Sequence, residues 1–289
     1  MRNALAIARK ELGIYFSTPW AYVVFTAMLG ISSFFFVNLL ATFKEVQALA
    51  RVYGWARLPP EYGQFKNLTD GIVVQLWDVI GVITLFVAPF LSMRLFAEEK
   101  RNRTFELLMT APVRPWEIVL GKYLGGVGVI WATLGLTIIF PITLSLFGSS
   151  ESGTALEWST VALGFAGLLL WGATCLGVGM FVSALTESQM LAAFLTFAIL
   201  LPWMLLRGLA QSAEEPWRSI ANHLSFSSQL STLSRGVLDL KALVFFLSVI
   251  LFSLLLTHRS VEAQRWAWWR CSPLPTRTSS PPARPGCRR

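Results

Sequence analysis

Very few side chains in this chain could do chemistry, and their placement argues for contact and transmission rather than catalysis. Asp78, with Gln75 three residues before it, stands inside a long apolar run over 72–92. An ionisable group inside a bilayer is expensive and is by default a functional candidate. Asp78 and Gln75 are therefore the candidate pathway residues. Close to an interface the carboxylate can also simply reach water or a neighbouring helix, and both readings stand. A single carboxylate supplies no catalytic pair, and no Ser/His/Asp set or histidine pair shares its depth. His223 and His258 are too few and too far apart for a metal, and Cys175, Cys271 and Cys287 have neither zinc nor disulfide spacing. A G-x-x-x-x-G-K-S/T loop, which would cradle nucleotide phosphates, is absent. The sequence thus assigns no catalytic, cofactor-binding or metal-ligating residue.

The second concentration of chemistry is a charged island between the apolar runs 72–92 and 124–147, and it holds Glu98, Glu99, Arg101, Thr104 and Glu106. A connection that short and that basic belongs on the cytoplasmic face. Residues 94–110 read as a helix. Glu99/Arg103 and Asn102/Glu106 stand at i,i+4, each worth a few tenths of a kcal/mol. Phe105, Leu108 and Met109 form an apolar patch at the same end, and Pro112 and Pro115 stop the helix. Such an element, clamped between two membrane crossings, can transmit a push from a soluble partner. It can also be a solvated connector that satisfies the charge rule.

The elements that position these groups follow from composition. Of 289 residues, 54% are hydrophobic and 14% charged, against about 25% charged in an ordinary soluble domain. About 20 apolar helical residues cross a bilayer, and six runs qualify: 20–42, 72–92, 123–147, 160–185, 190–209 and 240–257. The first is too long for the core of a signal peptide and reads as a retained helix. With both termini inside, the inner segments hold 16 Lys/Arg and the outer ones eight, the bias expected of a membrane protein. This distribution, not a basic stripe among exposed aromatics, accounts for the net charge of +8, so no nucleic-acid partner is expected.

Residues 2–17 read as an amphipathic helix suited to the inner membrane surface, or as a plain start-transfer flank, and Thr18-Pro19 breaks the helix. Residues 43–71 are the largest outer loop. Residues 210–239 are semi-apolar and either dip back into the membrane or lie flat as a cap. Gly164 and Gly167 are candidates for a dimer face. Trp131 and Trp171 either line a cavity or pack in the core. The 266–289 tail begins with interfacial tryptophans and becomes Pro/Arg/Ser-rich, a composition expected to be disordered.

Three segments carry a resemblance. Ala97-Glu98-Glu99-Lys100, Thr104, Glu106-Leu107-Leu108-Met109-Thr110-Ala111-Pro112 and Ile118-Val119-Leu120-Gly121-Lys122-Tyr123 resemble the signature loop of ABC-2 type transporter permeases. Lys10-Glu11-Leu12 through Thr18-Pro19-Trp20 is similar to that family's connecting helix and elbow. Phe226 and Leu233-Ser234-Arg235-Gly236-Val237-Leu238-Asp239 resemble the gliding-motility-associated and copper-enzyme-maturation-like subgroup. Arg103 departs from the pattern, standing where many relatives have glycine.

The resemblance, over roughly residues 4–265, implies an all-α integral membrane fold. It would have six transmembrane helices, an N-terminal amphipathic elbow helix and a cytoplasmic coupling helix. It implies a multi-pass permease subunit of an exporter in the bacterial inner membrane, with both termini cytoplasmic. A separate ABC ATPase subunit would carry ATP-Mg and dock on Glu98, Glu99, Arg101, Thr104 and Glu106. A second permease, identical or different, and membrane lipid are the other implied partners. The chain itself would bind no cofactor and would not be an enzyme. The competing expectation is a non-transporting anchor or assembly subunit of a motility or envelope machine.

Overall fold

The computed structural model describes residues 2–102, 104, 114–147, 156–211 and 225–271, and among these there is no strand. Helix α1 (Arg2–Ser17) ends where Thr18 turns extended, at φ −95° and ψ 132°, and Pro19 opens α2 (Pro19–Tyr53). Proline holds the residue before it out of the helical region while its own φ suits the first helical position. Two 3₁₀ segments (Trp55–Arg57, Pro60–Lys66) and a π-helical turn (Thr69–Val74) lead into α3 (Gln75–Ser92). The short α4 (Ala97–Arg101) follows. Then come α5 (Pro115–Gly135), a 3₁₀ turn (Leu136–Ile138), α6 (Ile139–Phe147), α7 (Trp158–Leu185), α8 (Gln189–Gln211), α9 (Phe226–Ser234) and α10 (Leu240–Cys271).

Six stretches are long and apolar enough to cross a membrane: Ala21–Tyr53, Thr69–Arg101, Pro115–Phe147, Trp158–Leu185, Gln189–Leu206 and Leu240–Arg265. The fold is all-α with six candidate crossings, the class expected. Several helices outrun the apolar runs that announce them. α2 continues through residues 43–53, placed by the sequence in an outer loop, because Phe43, Val46 and Ala50 keep one face buried. Phe43 meets the chain again at Gly71, where a Cβ would stand 3.0 Å from its ring. α5 starts at Pro115 rather than near 123, and the Arg114 amide donates to Glu117 Oε2 at 3.4 Å. That bond is one half of a capping box. α10 carries on through Trp266–Arg270 to Cys271, six residues into the segment read as tail.

α7 is the hub, packed against α3, α5, α8, α9 and α10. Its glycines make this possible. A Cβ on Gly164 would lie 2.7 Å from Trp77 Cδ1 of α3, and one on Gly167 would lie 2.9 Å from Leu233 Cβ of α9. The Gly164 and Gly167 positions read as a dimer face are therefore filled from within the same chain.

The segment before the last crossing is folded into the bundle. α9 buries Phe226, Leu230 and Leu233. Phe226, 0% exposed, has the rings of Trp171, Trp203, Phe245 and Phe246 around it at centroid distances from 4.2 to 5.9 Å. α9 closes on a Schellman turn, with Val237 N–H bonded to Thr232 O and Gly236 N–H to Leu233 O. Gly236 takes φ +77°, and a Cβ there would stand 2.7 Å from Thr160 Oγ1, so only glycine fits.

The chain's ends sort cleanly. α1, residues 94–102, the start of α5, the end of α7 and residues 258–265 meet at one end, joined by Asn3–Glu117, Lys100–Ala184, Gln264–Ala184 and stacked Trp116–His258 contacts. Residues 53–71, the start of α7 and the turn after α9 meet at the other, through Glu157 N–H to Thr69 Oγ1 and Gly236 against Thr160.

Candidate functional site

The polar core of the first end is built on Lys122. This lysine is 2% exposed, on the second turn of α5, and its ammonium lies 2.8 Å from Glu11 Oε1 of α1 and 2.8 Å from Glu99 Oε1 of α4. The sequence places Lys122 among the cations of the cytoplasmic loop, and the structure buries it in a three-residue ion network. Phe96 closes one side, with the ammonium 5.4 Å from its ring centroid. Buried charges persist only when paired and hydrogen-bonded, and here one cation answers two carboxylates.

α1 reaches this network by lying in a glycine groove of α5. A Cβ on Gly121 would stand 2.8 Å from the Ala4 carbonyl oxygen, one on Gly125 2.7 Å from Glu11 Cβ, and one on Gly128 2.9 Å from a Leu12 methyl. Ala4, Ala8, Glu11 and Tyr15 are the buried face, so α1 gives this side to protein rather than to lipid. Leu5, Ile14 and Phe16 stay exposed. Tyr15 donates its hydroxyl to the Leu91 carbonyl at 2.6 Å. Burial, with the Glu11 charge adding to it, pushes its pKa up, so the phenol stays a donor.

The helix expected to run unbroken from Arg94 is interrupted by a turn at 93–96 before α4 begins. The cause is tertiary. Ser183 Oγ, from the last turn of α7, accepts the amides of Phe96 at 3.2 Å and Ala97 at 3.1 Å and donates to the Met93 carbonyl at 3.1 Å. These bonds take backbone groups that an unbroken helix would have used. Nothing in a helical serine's sequence context signals this role.

The predicted contact residues part from one another in the structure. Glu98 is half-buried and paired with Arg94 at 3.0 Å. Glu99 turns inward to Lys122, and its Oε2 has no hydrogen-bond partner among the described residues. Arg101 and Thr104 are exposed, and Thr104 Oγ1 bonds back to the Glu99 carbonyl at 3.3 Å. Glu106, with Arg103 and the 105–113 stretch, lies outside the described residues. The island therefore presents an outer edge at Arg101 and Thr104 and an inner latch at Glu99.

Asp78 and Gln75 are far from this latch. Asp78 precedes Arg94 by 16 residues, about 24 Å at 1.5 Å per helical residue. It is half-buried and lines a cavity of about 100 Å³ with Val82, Trp171, Met204, Phe226 and Leu230. Gln75 is half-buried, and its Nε2 has no partner among the described residues. Trp171 is a core residue that donates to the Gly81 carbonyl at 3.0 Å, whereas Trp131 is 47% exposed on the outer surface. No group of three or more His, Cys, Asp or Glu among the described residues could hold a metal.

The comparisons with known proteins agree with this architecture. A family model described as "ABC-2 family transporter protein" matches residues 53–257. The chain is also similar to "Probable multidrug ABC transporter permease YbhR" of Escherichia coli (strain K12) and of Escherichia coli O157:H7, each 26% identical over 143 residues. The matched stretch covers 50% of this chain and 36% of each relative, so the chain spans about a third of the length of these curated relatives. With the family model covering well over half of its length, this multi-pass membrane chain belongs to the ABC-2 family of transporter proteins.

Proposed function

We propose that this chain is the permease subunit of an ABC exporter in the bacterial inner membrane. In this reading both termini are cytoplasmic, and two permeases, identical or different, form the membrane part. A separate ATPase subunit binds and hydrolyses ATP with magnesium and docks at the end where α1, α4 and the start of α5 meet.

The observation that carries the reading is the Lys122 network. It ties a surface helix, the charged 94–104 segment and a membrane-crossing helix through one buried cation. Breaking a buried pair by removing one partner costs about 3–5 kcal/mol, so the three elements respond as a unit to force on any one of them. A connector serving only to join two crossings has no need of such a link. Arg101 and Thr104, exposed beside it, supply charge-assisted and neutral hydrogen bonds to a docked partner. Among the described residues, Arg9, Lys10, Arg94, Lys100, Arg101, Arg114, Lys122, Arg259 and Arg265 lie at this end, which supports its placement in the cytosol.

Affinity purification of the tagged chain from its native membranes, followed by mass spectrometry, tests the reading. The expected result is a stoichiometric soluble chain with a phosphate-binding glycine loop. Envelope or motility proteins without any ATPase would overturn it in favour of an anchoring role.

A further inference from the structure

The last turn of α7 ties together three parts of the chain. Ser183 is fully buried, and its hydroxyl is saturated: it accepts from the Phe96 and Ala97 amides and donates to the Met93 carbonyl. A serine hydroxyl offers one donor and two acceptor lone pairs, and all three are used on the turn before α4. One residue on, the Ala184 carbonyl is among those a helix C-terminus leaves without an internal partner. It accepts from Lys100 Nζ of α4 and, at 3.0 Å, from Gln264 Nε2 of α10. A cation at a helix C-terminus is further favoured by the helix dipole. One turn earlier, a Cβ on Gly179 would overlap the Ser92 side chain, so α7 and the end of α3 already touch.

The consequence is mechanical. The charged segment is covalently continuous with α3, but the helix between them is broken at 93–96. Local bonds remain at the break, from Leu95 N–H to Ser92 O and from Arg94 to Glu98, but Ser183 of α7 is the one side chain bonded to both Met93 on its near side and Ala97 on its far side among the described residues. We infer that Ser183 is a positioning residue of the transport cycle, passing displacement of the 97–104 segment into α7 and not along α3. α7 packs against α3, α5, α8, α9 and α10, so motion delivered there reaches four of the other five candidate crossings directly, and α2 by way of α3. The inference rests on the permease reading above and adds to it the route that force takes.

The test uses the full chain with the ATPase that co-purifies with it, reconstituted in lipid nanodiscs. Spin labels at Val52 and Trp158, both exposed and at the end away from Ser183, report whether a nucleotide-driven change crosses the membrane. Wild type shifts this distance on trapping with ATP and vanadate. Ser183→Ala keeps the complex and its ATP hydrolysis but loses most of the shift, by about tenfold in the shifted-to-unshifted ratio, within the usual range of coupling. Ser183→Thr, which keeps the hydroxyl, restores it. Gln264→Leu, which removes a bond to the same turn without touching 93–97, leaves it intact. A full shift in Ser183→Ala, or an equal loss in Gln264→Leu, overturns the assignment and makes the turn merely structural. A wild-type chain that brings no ATP-hydrolysing subunit instead overturns the permease reading, and this inference with it.

Discussion

The ammonium of Lys122 sits 2.8 Å from the carboxylate of Glu11, although 111 residues separate them in the chain. The same ammonium lies 2.8 Å from Glu99. Removing the cation leaves two carboxylates facing each other in a buried site. Lys122→Met is therefore expected to destabilise the protein by about 3–5 kcal/mol. Lys122→Met combined with Glu11→Gln and Glu99→Gln recovers much of that loss, since no charge is stranded. Thermal unfolding in a single detergent checks both. Equal losses in the single and triple variants would show that the charges themselves do not matter.

Gly125 is where α1 approaches α5 most tightly at the level of this network. Gly125→Leu is expected to lift α1 from its groove, because overpacking of a close contact costs about 1–3 kcal/mol. Hydrogen exchange of residues 2–17 should rise while that of α7 is unchanged. Unaltered protection of α1 would mean that the groove does not hold it.

Phe226 is the centre of the aromatic cluster that seats α9 among α7, α8 and α10. Phe226→Ala is expected to cost about 3–5 kcal/mol, as for other large buried aromatics. Unfolding in a mixed-micelle titration measures it. A loss under about 1 kcal/mol, the scale of a single lost methylene, would show that α9 lies on the surface and is not packed in.

Arg101 is exposed beside the latch, so its charge can be reversed without disturbing the core. Arg101→Glu with Thr104→Glu is expected to weaken ATPase recovery in co-purification by at least about tenfold, the usual scale for losing one charged contact. Membrane insertion and thermal stability should remain at wild-type levels. Undiminished recovery would move the docking surface elsewhere.

The sequence made the six crossings legible because each is an apolar run of about bilayer length, and the bend at Thr18 followed from the proline after it. It also singled out Glu98, Glu99, Arg101 and Thr104 as one charged segment. What it could not convey was direction. Glu99 reads as a partner-contact residue and Lys122 as one cation of the cytoplasmic loop, because a one-dimensional pattern does not reveal that Lys122 sits between Glu99 and Glu11, far upstream in the chain. Ser183 has no signal of its own in the sequence, and its three hydrogen bonds exist only once α3 and α7 are packed. Gly164 and Gly167 announced a close helix approach correctly, but which helix approaches is a property of topology. Residues 43–53 read as loop because Lys44 and Glu45 interrupt the apolar run, while Phe43, Val46 and Ala50 preserve a helical face beneath them.

Docking of an ATPase at the Arg101 end is tested by photo-crosslinking in native membranes from a benzophenone amino acid placed at Arg101, with the same probe at Leu238 as the control. Leu238 is 60% exposed and lies at the opposite end. The expected result is an adduct from position 101 with a soluble chain that carries a phosphate-binding glycine loop, and none from position 238. An adduct with such a chain from position 238, or no nucleotide-binding protein from position 101, would contradict it.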